Sequence, residues 1–361
     1  MAWLKIYFVT LMFVFAGTAC AVAQDNTTQT RDFTFETQGQ TLSGLIDTPA
    51  SGNAEALIIF VHGYGGTDIR TRNPYSQLRD RFAELGITTV VWDKPGQGES
   101  EGEFDINQPV ASSAQEVVDA ARHLRETGVA GADKIGLWGI SRAGWIAPLA
   151  LAQDSEISFW ISVSGATVED NYFYLLMSNL PCEGSSEEEA ATIREEWLNG
   201  YRIFRSGGTQ DEFSAATETL RANAYIQSMR GDWWNQIDYE AAQRELIAAG
   251  DSAPYDKVNG QFISVPNLET LLSNLDVDTL ALFGDRDRNI DWRQVYALYD
   301  ETLGQNPEAS LQQHVFEGAD HVITLAETGC IREMRARQSS VKPDGYYQMQ
   351  LDWLREVVLS D

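Results

Sequence analysis

Cysteine and histidine are scarce in this 361-residue chain, and basic side chains are outnumbered by acidic ones, 26 to 53. The 3 cysteines, Cys20, Cys182 and Cys330, form no C-x-x-C pair, and the 4 histidines, His62, His123, His314 and His321, form no H-E-x-x-H. Zinc needs several such ligands at close spacing, so no metal site is expected. The segment His62-Gly63-Tyr64-Gly65-Gly66 is rich in glycine, but no G-K-[ST] follows it, which excludes a P-loop, and no cofactor is expected. A formal charge of −27 repels phosphate backbones and anionic membranes, so nucleic acid is not an expected partner. The same surplus charge serves solubility equally well. Long apolar runs are missing too: Ile6 to Ala16 is too short for a comfortable membrane span, and no stable membrane insertion is expected. There is no internal repeat and no low-complexity tract.

That short run has a different meaning. Lys5 is the one charge before it, and Ala21-Val22-Ala23 offers an A-x-A cleavage site ahead of Gln24. Residues 1–23 are therefore expected to be a signal peptide, and the protein to be exported, periplasmic or secreted. Gly17-Thr18-Ala19-Cys20 loosely resembles a lipoprotein box, but glycine stands where a bulky aliphatic residue is usual, so simple export is preferred to a lipid anchor on Cys20. Cleavage leaves 338 residues with a charge of −28, enough for one large domain with an insertion.

Strands and helices alternate through the first half, which predicts a mostly parallel sheet. Asp32–Thr37 and Gln40–Asp47 read as an opening hairpin. Ala56–His62, Ile87–Asp93 and Phe159–Val163 read as buried strands, with helices over Tyr75–Leu85 and Ser113–Glu126 between them. From about Ala166 to Leu275 the pattern turns helical, acidic and aromatic. Ser186-Glu187-Glu188-Glu189 reads as a capping box, and Ile193, Trp197, Tyr201 and Phe204 follow at helical spacing. Strands return at Thr279–Phe283 and Leu311–Phe316, and a helix closes the chain over Tyr346–Leu359. The expected organisation is a core of residues 24–165 and 276–361, carrying a helical cap of residues 166–275 that is too long to be a mere connector.

The richest stretch is Trp138-Gly139-Ile140-Ser141-Arg142-Ala143-Gly144. A short apolar strand precedes it and a helix opens after it. A serine pinned by small residues at a sharp strand-to-helix turn is the nucleophile elbow of a serine hydrolase. Gly98-Glu99-Ser100-Glu101-Gly102 matches G-x-S-x-G more literally, but an acidic loop and no helix follows it, so Ser141 is preferred to Ser100.

A serine hydroxyl needs a base, and the base needs an orienting carboxylate. In chain order Ser, acid, His, each at a strand end, the sequence offers Ser141, then Asp287 in Gly284-Asp285-Arg286-Asp287, then His321 after Val315-Phe316. Asp285 and Asp320 are the rival acids. Asp285 reads as a turn cap, and Asp320 is a sequence neighbour that points poorly at the ring beside it. His314 reads as a strand residue and His123 as part of a solvated helix face. An oxyanion hole needs preorganised N–H donors, for which the backbone of Arg142 and of Tyr64 are the candidates. His62 is expected to brace that loop.

Taken together, His62-Gly63-Tyr64-Gly65-Gly66, Asp93-Lys94-Pro95-Gly96-Gln97-Gly98-Glu99-Ser100, the Ser141 elbow, Gly284–Asp287 and Ala319-Asp320-His321 resemble the α/β-hydrolase superfamily, most closely its exported esterase-like members with a helical cap. The resemblance covers the mature chain except most of the insertion. It implies an α/β-hydrolase fold, Ser141 as nucleophile, Asp287 as acid, His321 as base, and backbone donors at Tyr64 and Arg142. Two departures are Ala143 in place of the second elbow glycine and Pro95 where many relatives carry Arg. The leading expectation is hydrolysis of a small-molecule carboxylic ester through an acyl-enzyme. Trp197, Tyr201, Phe204, Trp233 and Trp234 either line an acyl pocket or, as preferred, pack the cap. A serine aminopeptidase is the nearest rival, with Glu183, Glu187, Glu188 and Glu189 to receive an ammonium group; a solvated first helical turn explains them more simply. A thioesterase fits export and charge less well, and a non-catalytic binding domain would be expected to lose a triad member. Finally, Cys182 and Cys330 both leave the sheet at the edge where the site forms, and an even pair in an exported chain permits a disulfide between them.

Overall fold

A six-residue apolar run bounded by turn residues suits a strand covered on both faces. The computed structural model bears this out; it describes residues 28–167, 171–230, 235–249 and 265–360. The expected signal peptide with Cys20, and the pair Trp233-Trp234, lie outside the described residues. In β3 (Ala56–Val61) every residue is buried, and successive side chains divide between two cores. Leu57, Ile59 and Val61 enter one, Ala56, Ile58 and Phe60 the other, as the two-residue period of a strand requires.

Eight strands form one sheet, in the order β1 (Thr28–Thr37), β2 (Gln40–Pro49), β4 (Ile87–Trp92), β3, β5 (Ile135–Ile140), β6 (Ile157–Val163), β7 (Asp278–Gly284), β8 (Leu311–Phe316). β1 and β2 form the expected hairpin, β2 pairs antiparallel with β4, and from β4 to β8 all pairing is parallel. This is the α/β-hydrolase fold. The chain leaves β3 towards β4 on one side and, after β4, returns to place β5 on the other. The strand order reverses there, the place at which sheets of this kind bind ligands beyond the carboxyl ends of their strands.

Helices cover both faces. α2 (Val110–Glu126) and α3 (Ala143–Gln153) bury Val117, Leu124, Ile146 and Ala147 on one side. α1 (Ser76–Glu84) and the closing helix, α13 (Tyr346–Trp353), bury Leu78, Phe82, Tyr346 and Trp353 on the other. The closing helix continues as a π-helical turn over Leu354–Val358.

Between β6 and β7 run α4 (Asn171–Asn179), α5 (Glu187–Arg205), α6 (Gln210–Ala216), α7 (Glu218–Ala222), α8 (Ala224–Arg230) and α9 (Gln236–Ala249). They carry small cores of their own. Leu176, Ile193, Trp197 and Leu220 form one, and Phe204, Phe213 and Tyr239 another. Tyr201 stacks on Trp197 with ring centroids 4.9 Å apart, so the aromatic stripe of α5 packs the insertion internally. α10 (Leu268–Ser273) falls within the expected insertion but buries Leu268 and Leu272 in the same core as α2 and α3. The cap of α5 is half of the expected box: Ser186 accepts the Glu189 N–H, but Glu189 turns its carboxylate to Asn223. The reciprocal box forms one helix later, between Thr209 and Glu212. After β7 come α11 (Trp292–Glu301) and, beyond β8, α12 (Ile331–Ala336).

Cys182, just past α4, is bonded to Cys330, which caps α12, with Cα atoms 6.2 Å apart across 148 residues of sequence. Replacing both by serine should lower the unfolding free energy by about 2–4 kcal/mol, read as an earlier thermal transition. Peptide mapping of the unreduced protein should recover the two segments as one linked species; two separately alkylated thiols would contradict the bond.

Candidate active site

Ser141 sits between β5 and α3 with φ +57°, a left-handed backbone that costs a β-substituted residue on the order of 1 kcal/mol. Neighbours hold it there. Its N–H donates to the Val163 carbonyl at 3.1 Å, and its carbonyl accepts from Gly144 and Ala166, both at 2.8 Å. The turn is tight: a Cβ on Gly139 would lie 2.7 Å from the Ala143 methyl. The two flanking positions have room for one methyl between them, which is why Ala143 is tolerated opposite glycine.

Beyond β7 and β8 the loops carrying Asp287 and His321 are tied together. His321 Nδ1 and Asp287 Oδ2 are 2.9 Å apart, both buried. The other carboxylate oxygen, Oδ1, accepts the N–H groups of Asn289 at 2.7 Å and Ile290 at 3.1 Å. Burial disfavours a charged imidazole, but the charge and hydrogen bond of Asp287, with Asp320 adding, outweigh it and raise the His321 pKa above its usual value. Asp285 Oδ1 accepts from Gly318 N at 2.7 Å, so it staples the two loops rather than capping its own turn. Asp320 is committed to its own loop, accepting from Val322 N and Thr324 N at 3.1 Å and pairing with Arg337 at 2.6 Å. Among the described residues, neither rival acid hydrogen-bonds the His321 ring.

The loop after β3 approaches Ser141: a Cβ on Gly63 would lie 3.2 Å from Ser141 Cβ. Lys94 grips this loop from beneath, its ammonium donating to the carbonyls of Gly63 at 2.6 Å and Gly65 at 2.7 Å. In a trans peptide the N–H opposes its carbonyl, so the Tyr64 N–H is turned away from Lys94. Neither that N–H nor the N–H of Arg142 donates to a protein acceptor among the described residues. The Tyr64 side chain is 63% exposed and takes no part in this. His62 donates from Nε2 to the Trp92 carbonyl at 2.7 Å. Burial, helped by Lys94 and Arg79 against the Trp92 bond, lowers its pKa to about 4, so it braces the loop as a neutral ring.

Sequence reasoning missed the charges under this loop. Burial lowers the Lys94 pKa to about 8, with Arg142 pushing the same way and Glu116 opposing. Glu116, on α2, is buried against Gln108 and Trp92, and burial raises its pKa. The Arg142 guanidinium is buried with them, on the Ser113 hydroxyl and the Gln108 carbonyl. A lysine following a buried strand was the one visible signal; its partners are 29 and 31 residues away. Ser100 is structural: its buried hydroxyl donates to the Asp93 carbonyl at 2.6 Å and accepts from Ser43 N at 2.9 Å. His314 lies in β8 with its ring edge-on to Phe316. Among the described residues, no group of three or more His, Cys, Asp or Glu is arranged to hold a metal ion, and no helix is long and apolar enough to cross a membrane.

Residues 38–322 match the family model of X-Pro dipeptidyl-peptidase, S15 family. Among solved structures, the esterase Pf2001 of Pyrococcus furiosus is similar with TM-score 0.54, 14% identity, and 92% of each chain covered. An α/β hydrolase, GrgF, from Penicillium aligns with TM-score 0.52 and 16% identity over 92% of this chain and 100% of that one. These likenesses are of fold. By sequence, an uncharacterized 31.7 kDa protein of Escherichia coli is 30% identical over 115 residues, 32% of this chain and 38% of that one. The polyketide transferase claH of Penicillium crustosum is 30% identical over 114 residues, 32% of this chain and 36% of that one. The chain thus spans less than two-fifths of the length of these curated relatives.

The titrations are separable by NMR of labelled imidazoles. His321 should titrate above the free-imidazole value of about 6.5, and His62 should stay neutral down to about 4. In Asp287→Asn the main raising charge is gone and burial is opposed only by Asp320, so the His321 midpoint should fall; an unmoved midpoint would show that Asp287 does not set it.

Proposed function

Because the chain belongs to the X-Pro dipeptidyl-peptidase (S15) family, we propose that it is a serine hydrolase that cleaves small carboxylic esters through an acyl-enzyme on Ser141. The observation that carries this reading is the strained elbow of Ser141, at the same sheet edge as the buried Asp287–His321 pair. With Nδ1 engaged by Asp287, the free nitrogen of His321 is Nε2. It takes the Ser141 proton as Oγ attacks the acyl carbon, and returns it to the departing alcohol oxygen. A water then repeats the sequence, giving its proton to His321 and its oxygen to the acyl group, and Ser141 is regenerated. The oxyanion formed in each half lies on the backbone N–H groups of Tyr64 and Arg142, and Lys94 keeps the first of these turned outward. Asp287 holds the ring in the right tautomer and stabilises the imidazolium.

The helices between β6 and β7 are a cap over this edge. The protein is exported after loss of residues 1–23, a compartment in which the Cys182–Cys330 bond persists. Peptide substrates are the second reading, favoured by the family model. Against an ammonium site in the cap, Glu187 and Glu188 are exposed, Glu189 is bonded to Asn223, and Glu183 faces Arg332 at 4.0 Å.

Ser141→Ala should lower kcat on the order of 10⁴- to 10⁶-fold and abolish labelling by a fluorophosphonate. Ser100→Ala should keep most turnover and lose on the order of 1 kcal/mol of stability instead. A panel of p-nitrophenyl esters and Xaa-Pro p-nitroanilides decides the substrate class, and faster turnover of the anilides would replace the ester reading. Lys94→Met should lower kcat on the order of 10²-fold with KM nearly unchanged, the signature of a weakened oxyanion hole; a loss confined to KM would remove Lys94 from that role.

A further inference from the structure

The loop carrying Asp287 is held from its far side by the first helix of the insertion. Asp287 Oδ1 receives the N–H groups of Asn289 and Ile290. Each N–H belongs to a peptide unit whose carbonyl points the opposite way. The carbonyl opposite the Asn289 N–H is that of Arg288, and it accepts from the Ser178 hydroxyl and from Asn179 Nδ2 at 3.1 Å. The carbonyl opposite the Ile290 N–H is that of Asn289, and it accepts from Asn171 Nδ2 at 3.0 Å. Three side chains of α4 therefore grip the same two peptide units that donate to the acid.

Asn179 is 0% exposed and is used at both ends. Its Nδ2 also donates to Leu175 O at 2.9 Å, and its Oδ1 accepts the Ile331 N–H at 2.9 Å, in the segment that follows His321. Arg288 returns the tie, donating to the carbonyls of Ser178 at 3.1 Å and Thr328 at 2.9 Å.

We propose that Asn171, Ser178 and Asn179 are positioning residues for the hydrolytic reaction: by fixing the planes of two peptide units, they aim the Asp287 carboxylate at His321. The inference rests on the reading of Asp287 as the acid. A carbonyl already hydrogen-bonded polarises its peptide and strengthens the N–H at the other end. It also stops the peptide from rotating, which would swing Oδ2 off the ring. The insertion is thereby a working part of the site as well as its cover.

The test uses the full mature chain with Asn171→Ala, Ser178→Ala and Asn179→Ala, singly, and Asn171→Ala/Asn179→Ala together, each in the wild-type and the Asp287→Asn background. In the wild type the double variant should lower kcat on the order of 10- to 100-fold, with KM within about twofold. The acid limb of its pH profile should move to lower pH, because a carboxylate that drifts from His321 no longer raises its pKa. In Asp287→Asn the same pair should cost less than about twofold, since the group it positions is already disabled. Undiminished kcat in the wild type, or the same loss in both backgrounds, would overturn the proposal. Circular dichroism checks the fold. Half-buried Asn171→Ala carries the comparison if the double variant does not fold. Normal turnover by Asp287→Asn alone would remove the acid assignment and this inference with it, whereas a crippled Asp287→Asn beside an unaffected double variant sinks the positioning role alone.

Discussion

Parallel pairing from β4 to β8 brings the carboxyl ends of those strands to one edge, and a sheet covered on both faces leaves no place for polar chemistry within the strands themselves. Polar groups collect where the strands stop. Because that edge is largely buried too, each carboxylate there must find donors in its own or a neighbouring loop. Asp93 takes the Ile69 N–H, Asp285 the Gly318 N–H, and Asp320 those of Val322 and Thr324. Asp287 alone divides itself between backbone and an imidazole. Four acids at strand ends thus perform different tasks, set by which backbone and side-chain donors each one meets.

The same need for compensation explains the charges under the Gly63–Gly65 loop. Arg142 and Glu116 are buried and Lys94 half-buried, and burial moves each towards its neutral form. They are tolerable because each is bonded: Lys94 to two loop carbonyls, Arg142 to Ser113 and Gln108, Glu116 to Gln108 and Trp92. Removing one partner would leave the others costly. Rigidity in the loop is therefore linked to electrostatics in the layer beneath it, through side chains from β4's exit, α2 and the elbow.

Most of the fold was legible because its signals are local. Apolar runs bounded by turn residues gave β3 to β8 to within a residue or two, and the elbow was readable from one strand, one serine and small neighbours. Chain order pointed to an acid in the Gly284–Asp287 loop and to His321, but left Asp285 and Asp320 as rivals until the loops were laid side by side. What escaped was what depends on contact across the chain. Lys94 has no meaning until its strand lies beside the β3 loop. Asn171, Ser178 and Asn179 look like ordinary polar residues of a short helix until β7's loop is laid against them. α10 was assigned to the insertion because sequence order places it there, while its Leu268 and Leu272 belong to the sheet's core. α11 was overlooked although Trp292, Val295 and Tyr299 recur at helical spacing, and α12 is too short to show a period. The acidic first turn of α5 had two readings in the sequence; in the structure Glu189 is bonded to Asn223 while Glu187 and Glu188 are exposed.

The bond between Cys182 and Cys330 encloses most of the insertion together with β7, β8 and both loops of the Asp287–His321 pair. The helices α5 to α9 lie within the enclosed segment, on the part of the insertion that a protease can reach. A single cut there breaks the chain but releases nothing, because the two pieces remain joined through sulfur as well as through the sheet. On a non-reducing gel the nicked molecule would run as one species, and only reduction would reveal two. Damage to the insertion and loss of the molecule are separate events as long as the disulfide is intact.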